Sequence, residues 1–462
     1  MSEAGEVLVV GSGIAGILAA HWAQACGRRV RLLERGPELG GLLRSWRAPD
    51  GLVYDIGTHI PVPTGDARTD ALIFDPSGTI DWHQIPVLKV GNWFSGRLNA
   101  ASQFIDISAL PRERWQECLA ALLAEPGSDE GATSLAAALR AHFGEPLYRE
   151  VFQPLLRRFY EGEFEQLSPD AHRFLGYSRV IVGPAAMCRE LKRTPLYDRK
   201  IGFASYLEGR SGKVNVYPAE GGMGGWIERR AAALRAAGAM VETGVEITGI
   251  DAAARQVALR DGRRLAFSTL IWAGPVAQAG RLLGAPSEGA GPRFVPLSIV
   301  HLRLDRPPAT DCHYVYLNDV SMRGFRVTLY DNFCPGPPGA WRATVEALTR
   351  PDGDSAALAS QVVEELRRAG ILSAGTVVTV QQATTLPQGF PEISIANAAA
   401  ARRLAEWLAN THPWLLLCGR APGSRRARRS SALARRPARS HHLARHPRRR
   451  GPWSPRAEWP GS

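Results

Sequence analysis

Gly11, Gly13 and Gly16 stand in G-x-G-x-x-G spacing within "VLVVGSGIAGILAA", and Glu34 closes the next apolar run, "VRLLE". These residue types in this order can hold a dinucleotide. Gly11 permits a tight turn, Gly13 lets a pyrophosphate approach the backbone, and Gly16 lets the helix pack closely on its strand. The free N–H groups at that helix start favour phosphate. Glu34 can accept both hydroxyls of an adenosine ribose, and its charge would repel a 2′-phosphate, which argues against NADP. A few residues on, Gly40 and Gly41 precede Arg44 and Ser45, a second close-approach loop with a cation and a hydroxyl.

The elements that must position these groups are legible in the same stretch. Val7 to Val10 is a continuous apolar run, as expected of a parallel strand covered on both faces. "IAGILAAHWAQA" continues at helical period with good helix formers, and "VRLLE" completes a βαβ unit. Further along, "NVYPAEGGMGGWIERRAAALRAAGAMVETGVEITGID" predicts a glycine-rich turn, a helix and a strand. "RQVALRDGRRLAFSTLIWAGPV" predicts short strands around an Asp261-Gly262 hairpin. No second complete strand–GxGxxG–helix unit is present, because "GGMGG" follows a proline rather than a strand run. That argues against a built-in NAD(P)H site and points to oxygen, a quinone or the substrate itself as redox partner.

The combination "VVGSGIAGILAA…LLERGPELGGLLRSW…GLVYDIGTH" resembles the opening of the FAD-dependent amine oxidase and protoporphyrinogen oxidase superfamily, which includes phytoene desaturases and UDP-galactopyranose mutases. The resemblance implies an α/β fold with an α+β cap: a Rossmann-like FAD-binding domain woven from residues 1–80, 205–291 and 390–423. The cap would comprise a largely helical 81–204 and a strand-rich 292–389. It further implies that Gly11, Gly13, Ile14, Ala15 and Gly16 line the FAD site, with Glu34 and Arg35 at the adenosine end. Gly40, Gly41, Leu42 and Arg44 would lie along the diphosphate, and Gly57, Thr58 and His59 near the flavin. Ile247 would flank the adenine, Ala273 and Gly274 would form a turn under the cofactor, and Gly419 and Arg420 would end the last strand. Two alternatives stay open: Arg44 as a solvated cation and Ile247 as plain core.

Few catalytic side chains are expected, since a flavin carries the hard step and the protein positions and shields the substrate. His59 is the candidate catalytic residue; the competing reading is a histidine that shapes its loop. In "FRVTLYDNF", Arg326 and Tyr330 alternate with apolar neighbours and are candidate substrate contacts; Tyr314 and Tyr316 are weaker cases. The reading is a hydride transfer from an amine or another C–H or X–H bond to flavin N5. Its alternatives are a non-redox mutase, which "GTHI" favours, and an inactive chain with an incomplete flavin site.

The net charge of +12 is uneven: twelve arginines and a single acid, Glu458, fall within 424–462, leaving 44 basic and 43 acidic residues before it. A specific nucleic-acid function would rest on that tail alone. The six scattered cysteines have neither metal-ligand nor disulfide-framework spacing, so no metal is expected and a reducing, cytoplasmic setting is the default. No apolar run is long enough to span a membrane and the N-terminus lacks signal-peptide order. After "WLLLCGR" the helical pattern that the family would continue stops. The Arg/Pro-rich remainder reads as a basic tail, a disordered extension, or out-of-frame translation of a GC-rich gene. The loss of pattern inside a motif favours the last.

Overall fold

Val7–Val10 (β1) has no polar residue to give to water, so it needs pairing on both edges and cover on both faces. The computed structural model, in which residues 5–74, 80–125, 127, 131–169, 171, 176–208, 212–286 and 293–419 are described, supplies both. β1 pairs in parallel with Val30–Leu33 (β2) on one edge and with Thr269–Trp272 on the other. Met240–Glu242 extends the sheet beyond β2, and Leu415–Leu417 beyond Thr269–Trp272. The sheet is thus woven from distant parts of the chain. Helix Ile14–Ala25 (α1) buries Gly16, Ile17, Ala20 and Ala23 against it. The close fit depends on Gly16, where an added Cβ would lie 1.8 Å from the Gly11 carbonyl oxygen.

Three smaller antiparallel units decorate this domain among the described residues, one of them Trp82–Ile85 with Asn215–Pro218. Ser45–Arg47 (β3) pairs with Val53–Asp55 (β4). Ile247–Asp251, Gln256–Leu259 and Arg264–Ala266 form a three-stranded meander whose second turn is the Asp261-Gly262 hairpin; Asp261 accepts from the Arg263 amide at 3.0 Å.

Among the described residues, a second sheet of seven strands runs in the order Val378–Pro391, Phe294–Leu304, Trp341–Leu348, Gly324–Leu329, Tyr314–Asn318, Val90–Phe94, Arg97–Asn99. Its alternation puts Val300, Leu302, Val315, Leu317, Val327 and Val345 on one face, buried with Leu358, Val362 and Leu366 of helix Ser355–Arg368. The opposite face carries Asn92, Tyr314, Tyr316, Arg326, Thr328, Thr344, Glu346 and His301. A helical layer around Arg112–Ala124 and Leu135–Phe143 has a core of its own, including Leu122, Leu139, Phe143, Phe152 and Leu156. Arg158 ties it to the sheet by donating to the carbonyls of Leu317, Met322 and Gly324 at 2.9, 2.9 and 2.7 Å.

Two features add detail to the expected cap. Residues 90–99, placed in a largely helical stretch, form two strands of the second sheet, and Val90–Phe94 pairs in parallel with Tyr314–Asn318. The strand-rich stretch also contains the helix Ser355–Arg368, started by Asp354 accepting from the Ala356 and Ala357 amides. Arg420 and the 424–462 tail lie outside the described residues. Among the described residues no helix is long and apolar enough to cross a membrane, and no group of three His, Cys, Asp or Glu is placed to hold a metal ion.

Candidate dinucleotide site and polar sheet face

Four separated turns meet at the amino end of α1. Gly11, at φ +93°, turns the chain out of β1, and a Cβ there would contact Ala273 and Gly274 at 3.4 Å. Gly41 approaches Gly13 so closely that a Cβ on it would lie 3.4 Å from Gly13 Cα, and one on Gly419 would lie 3.5 Å from Ala15 Cβ. Gly11, Gly13, Ala15, Gly41, Ala273, Gly274 and Gly419 are therefore brought together.

Gly13 is the exception in this cluster. Its backbone, φ −60° and ψ 172°, is open to any residue, and an added Cβ would meet no atom of the described residues within 4 Å. It is the N-cap of α1 yet offers no side chain to the first-turn amides, which have no intrahelical acceptor. No described residue requires a glycine there, and the free amides of a helix start are of the kind that favour phosphate. The glycines of "GGMGG" differ. A Cβ on Gly222 would lie 2.6 Å from Asp55 Oδ1, and one on Gly224 2.6 Å from the Ser45 amide. Those glycines fit the protein to itself.

Glu34 sits at the carboxyl end of β2. One oxygen accepts from the Ser12 amide and hydroxyl at 2.9 and 2.7 Å, and the other from the Gly36 amide at 2.7 Å. Three donors occupy most of this carboxylate's acceptor sites and leave one on Oε1 for a ribose hydroxyl. Ser12, fully buried, also accepts from the Gly40 amide at 3.1 Å and so couples the two glycine loops. Arg44 folds back on its loop, donating to Gly41 O at 2.9 Å, with Glu38 at 3.6 Å. Arg35 and Leu42 are exposed and Ile14 is half-buried. The residues present fit a dinucleotide at the phosphate and ribose positions.

Ile247 is 6 % exposed and packs with Leu8, Leu33, Val257 and Leu259, so its described contacts are those of core.

The Gly57–His59 turn is fixed from the second sheet. Glu346 accepts from the Thr58 amide at 3.0 Å and hydroxyl at 3.1 Å, and Arg326 grips the same carboxylate at 2.6 and 2.7 Å. Burial works against the Glu346 charge, but the Arg326 guanidinium outweighs it and holds the carboxyl below its usual range. Gly57, at φ +98°, is close enough that a Cβ would touch the Glu346 carboxylate at 3.2 Å. His59 is half-buried with Nε2 3.2 Å from Ile56 O. Arg326 thus reaches the same turn as Thr58 and His59. Tyr330 does not join it in an open face: it is 1 % exposed, and its hydroxyl accepts from the Asp55 amide at 2.9 Å and meets Thr344 Oγ1 at 2.9 Å. The strand ends at Leu329 and the chain turns at Tyr330–Asn332, which directs this side chain into core.

Asp55 is the buried hub beneath the site. It accepts from Ser45 Oγ at 2.6 Å, Tyr217 Oη at 2.5 Å and the Met223 amide at 3.0 Å, the last at the start of helix Gly222–Ala236. Burial pushes its carboxyl above the ordinary range despite those donors, and burial beside Asp55 pushes the Tyr217 phenol up. Ser12, Asp55, Tyr217 and Glu346 were not singled out in the sequence. Asp55 alone had a local signal, a carboxylate between an aromatic strand and a Gly-containing turn.

His301 lies on the same sheet face, stacked on Trp46 at 5.5 Å with Nδ1 3.0 Å from Thr344 Oγ1. Burial pushes its imidazole down to about 4. The unfolded chain then takes up the proton first, so the contribution is intact above the unfolded pKa and is lost as pH falls toward 4. Its share of the stability lost between pH 7 and pH 5 is about 2 kcal/mol. Urea unfolding at both pH values should show His301→Gln losing less than wild type by about that amount; equal losses would contradict it.

Residues 9–72 match the family model described as NAD(P)-binding Rossmann-like domain. Protoporphyrinogen oxidase of Bos taurus is 32% identical over 83 residues, 18% of this chain and 17% of that protein. The 15-cis-phytoene desaturase of Narcissus pseudonarcissus is 42% identical over 55 residues, 12% of this chain and 10% of that protein. The chain thus matches less than a fifth of the length of these curated relatives. Across the whole fold, a reduced UDP-galactopyranose mutase superposes with a TM-score of 0.71 at 16% identity, covering 89% of this chain and 87% of that one. A putrescine oxidase superposes with a TM-score of 0.52 at 16% identity, covering 86% and 91%. The family match is confined to a Rossmann-like NAD(P)-binding unit at residues 9–72. At these identities the wider likeness to the solved structures is one of fold.

Proposed function

We propose that the chain is an FAD-dependent oxidoreductase acting on a small molecule, with oxygen or a quinone as electron acceptor. The observation that carries this reading is Gly13, whose Cβ position no described residue approaches, at an uncapped helix end with Glu34 on the next strand. Gly13, Gly41 and the first turn of α1 would hold the diphosphate, and Glu34 the adenosine ribose. When bound, the flavin supplies a hydride acceptor at N5. The protein's own part is positional. Glu346 and Arg326 set the Gly57–His59 turn against the polar sheet face, while the helical layer and that face wall the substrate off from water. A mutase reading is kept because His59 stands in that turn, where a histidine could orient a hydroxyl-bearing substrate.

One experiment separates the two. The FAD-loaded full chain is mixed anaerobically with panels of amines, carboxylic acids and nucleotide sugars. Loss of one flavin's yellow absorbance per substrate converted supports the oxidoreductase. Conversion only after prior reduction, with no acceptor consumed, supports the mutase. A loaded protein that converts nothing in either state contradicts both.

A further inference from the structure

Between the polar sheet face and the helical layer lies a cavity of about 160 Å³, separate from the cluster at α1. Its lining includes Asn92, Phe104, Tyr177, Arg179, Tyr316 and Asn318, and no acidic residue among the described residues. Three features say what it would accept. First, it has a cation in place. Arg179 is fixed through Nε, which donates to Asp198 O at 2.9 Å, while its two Nη groups form no hydrogen bond or ion pair among the described residues. One guanidinium edge matches one carboxylate, two parallel bonds to two oxygens. Second, it has an unused acceptor. Asn92 is 2 % exposed and donates through Nδ2 to Gln103 O at 2.8 Å, but its buried Oδ1 has no partner. An acceptor left this way costs free energy until a donor reaches it. Third, Phe104, Tyr177 and Tyr316 supply aromatic surface, and the volume is near that of a cavity known to take benzene, about 150 Å³.

We propose that this cavity is the substrate-recognition end of the site and takes a planar, ring-sized carboxylic acid that also carries a hydrogen-bond donor. The carboxylate pairs with Arg179, the donor satisfies Asn92 Oδ1, and the ring lies among Phe104, Tyr177 and Tyr316. The cavity is joined to the Gly57–His59 turn through side chains already described. The Arg326 guanidinium lies 5.9 Å from the Tyr316 ring centre, and Arg326 grips Glu346, which holds Thr58. A simple alkylammonium is disfavoured, because the nearby Glu346 charge is already neutralised and Arg179 would repel it. As a statement about substrate this rests on the flavoenzyme reading; as a statement about binding it does not.

The test uses benzoate, its neutral isostere benzamide and the three hydroxybenzoates, titrated against the full chain by saturation-transfer NMR. Benzoate should bind at least tenfold more tightly than benzamide, and one hydroxybenzoate isomer about fivefold more tightly than benzoate. Arg179→Met should abolish the preference for benzoate over benzamide, while Arg179→Lys keeps part of it. Asn92→Leu should remove the hydroxyl's advantage without lowering benzoate affinity; unchanged melting temperatures show that the variants fold. No benzoate binding, or equal binding of benzoate and benzamide in wild type and Arg179→Met, would overturn the proposal. FAD binding is read separately by absorbance, so failure of one claim is distinguishable from failure of the other.

Discussion

Gly13→Val should fold as the wild type does and lose FAD, whereas Gly16→Ala should destabilise the packing of α1. The two positions are three residues apart and the substitutions differ only modestly in size, so general disruption cannot account for opposite outcomes. At Gly13 the backbone angles suit valine and the added Cβ meets no described atom within 4 Å, so the main cost should be the poorer N-cap, on the order of 1 kcal/mol. The same atoms occupy the place argued for phosphate, and the expected loss of FAD affinity is on the order of 100-fold or more, about 3 kcal/mol. At Gly16 a single methyl carbon would sit 1.8 Å from Gly11 O and 2.9 Å from Gly11 C. Both are backbone atoms of the turn itself and cannot rotate aside. Forcing β1 and α1 apart should cost about 3 kcal/mol and lower the melting temperature by several degrees. Differential scanning fluorimetry with and without FAD reads both effects. A Gly13→Val protein that still binds FAD tightly would remove the reason given for that glycine.

Glu346→Ala should be the most destabilising change on the polar sheet face. Four donor contacts converge on that carboxylate, two from Arg326 and two from Thr58, and its side chain is 7% exposed against 21% for Arg326. Removing it leaves a largely buried guanidinium without its partner and frees the turn that carries His59. The loss expected for breaking a buried pair from one side is about 3 kcal/mol or more. Glu346→Gln, which keeps an acceptor for Thr58 but not the charge, should fall between. The double variant Arg326→Met/Glu346→Leu should recover much of the loss, since the charge needing compensation is gone. Urea unfolding of the four proteins measures this. A loss under about 1 kcal/mol for Glu346→Ala, with no recovery in the double variant, would show that the pair does not hold the turn.

What could be read from the sequence follows from how local each signal is. The β1–α1–β2 unit was legible because its determinants lie within one stretch: an apolar run, three glycines at fixed spacing, a helical period and an acid. The hairpin at Asp261-Gly262 was legible for the same reason. The helix Ser355–Arg368 was equally local, with Asp354 as cap and Leu358, Val362 and Leu366 on one face, but it was passed over because the surrounding stretch reads as strands. Other features depended on pairing that no window contains. Val90–Phe94 belongs to a sheet only because Tyr314–Asn318 lies beside it. Arg326 was singled out without Glu346, since their pairing requires a register across two strands and an irregularity between Gly324 and Arg326. Tyr330 lies past Leu329, where the strand stops and its alternation no longer holds. Asp55 gains its role from Tyr217 and Met223, more than 160 residues away.

The most direct test of the account is an equilibrium titration of the full chain with FAD and, separately, with NADP+, followed by flavin absorbance and by quenching of tryptophan fluorescence. If the diphosphate rests on α1 over Gly13 while Glu34 holds an unphosphorylated ribose, FAD should bind stoichiometrically and NADP+ at least tenfold more weakly. Glu34→Gln should narrow that gap. If FAD fails to bind at any concentration, or NADP+ competes on equal terms, the dinucleotide site described here does not exist in this form.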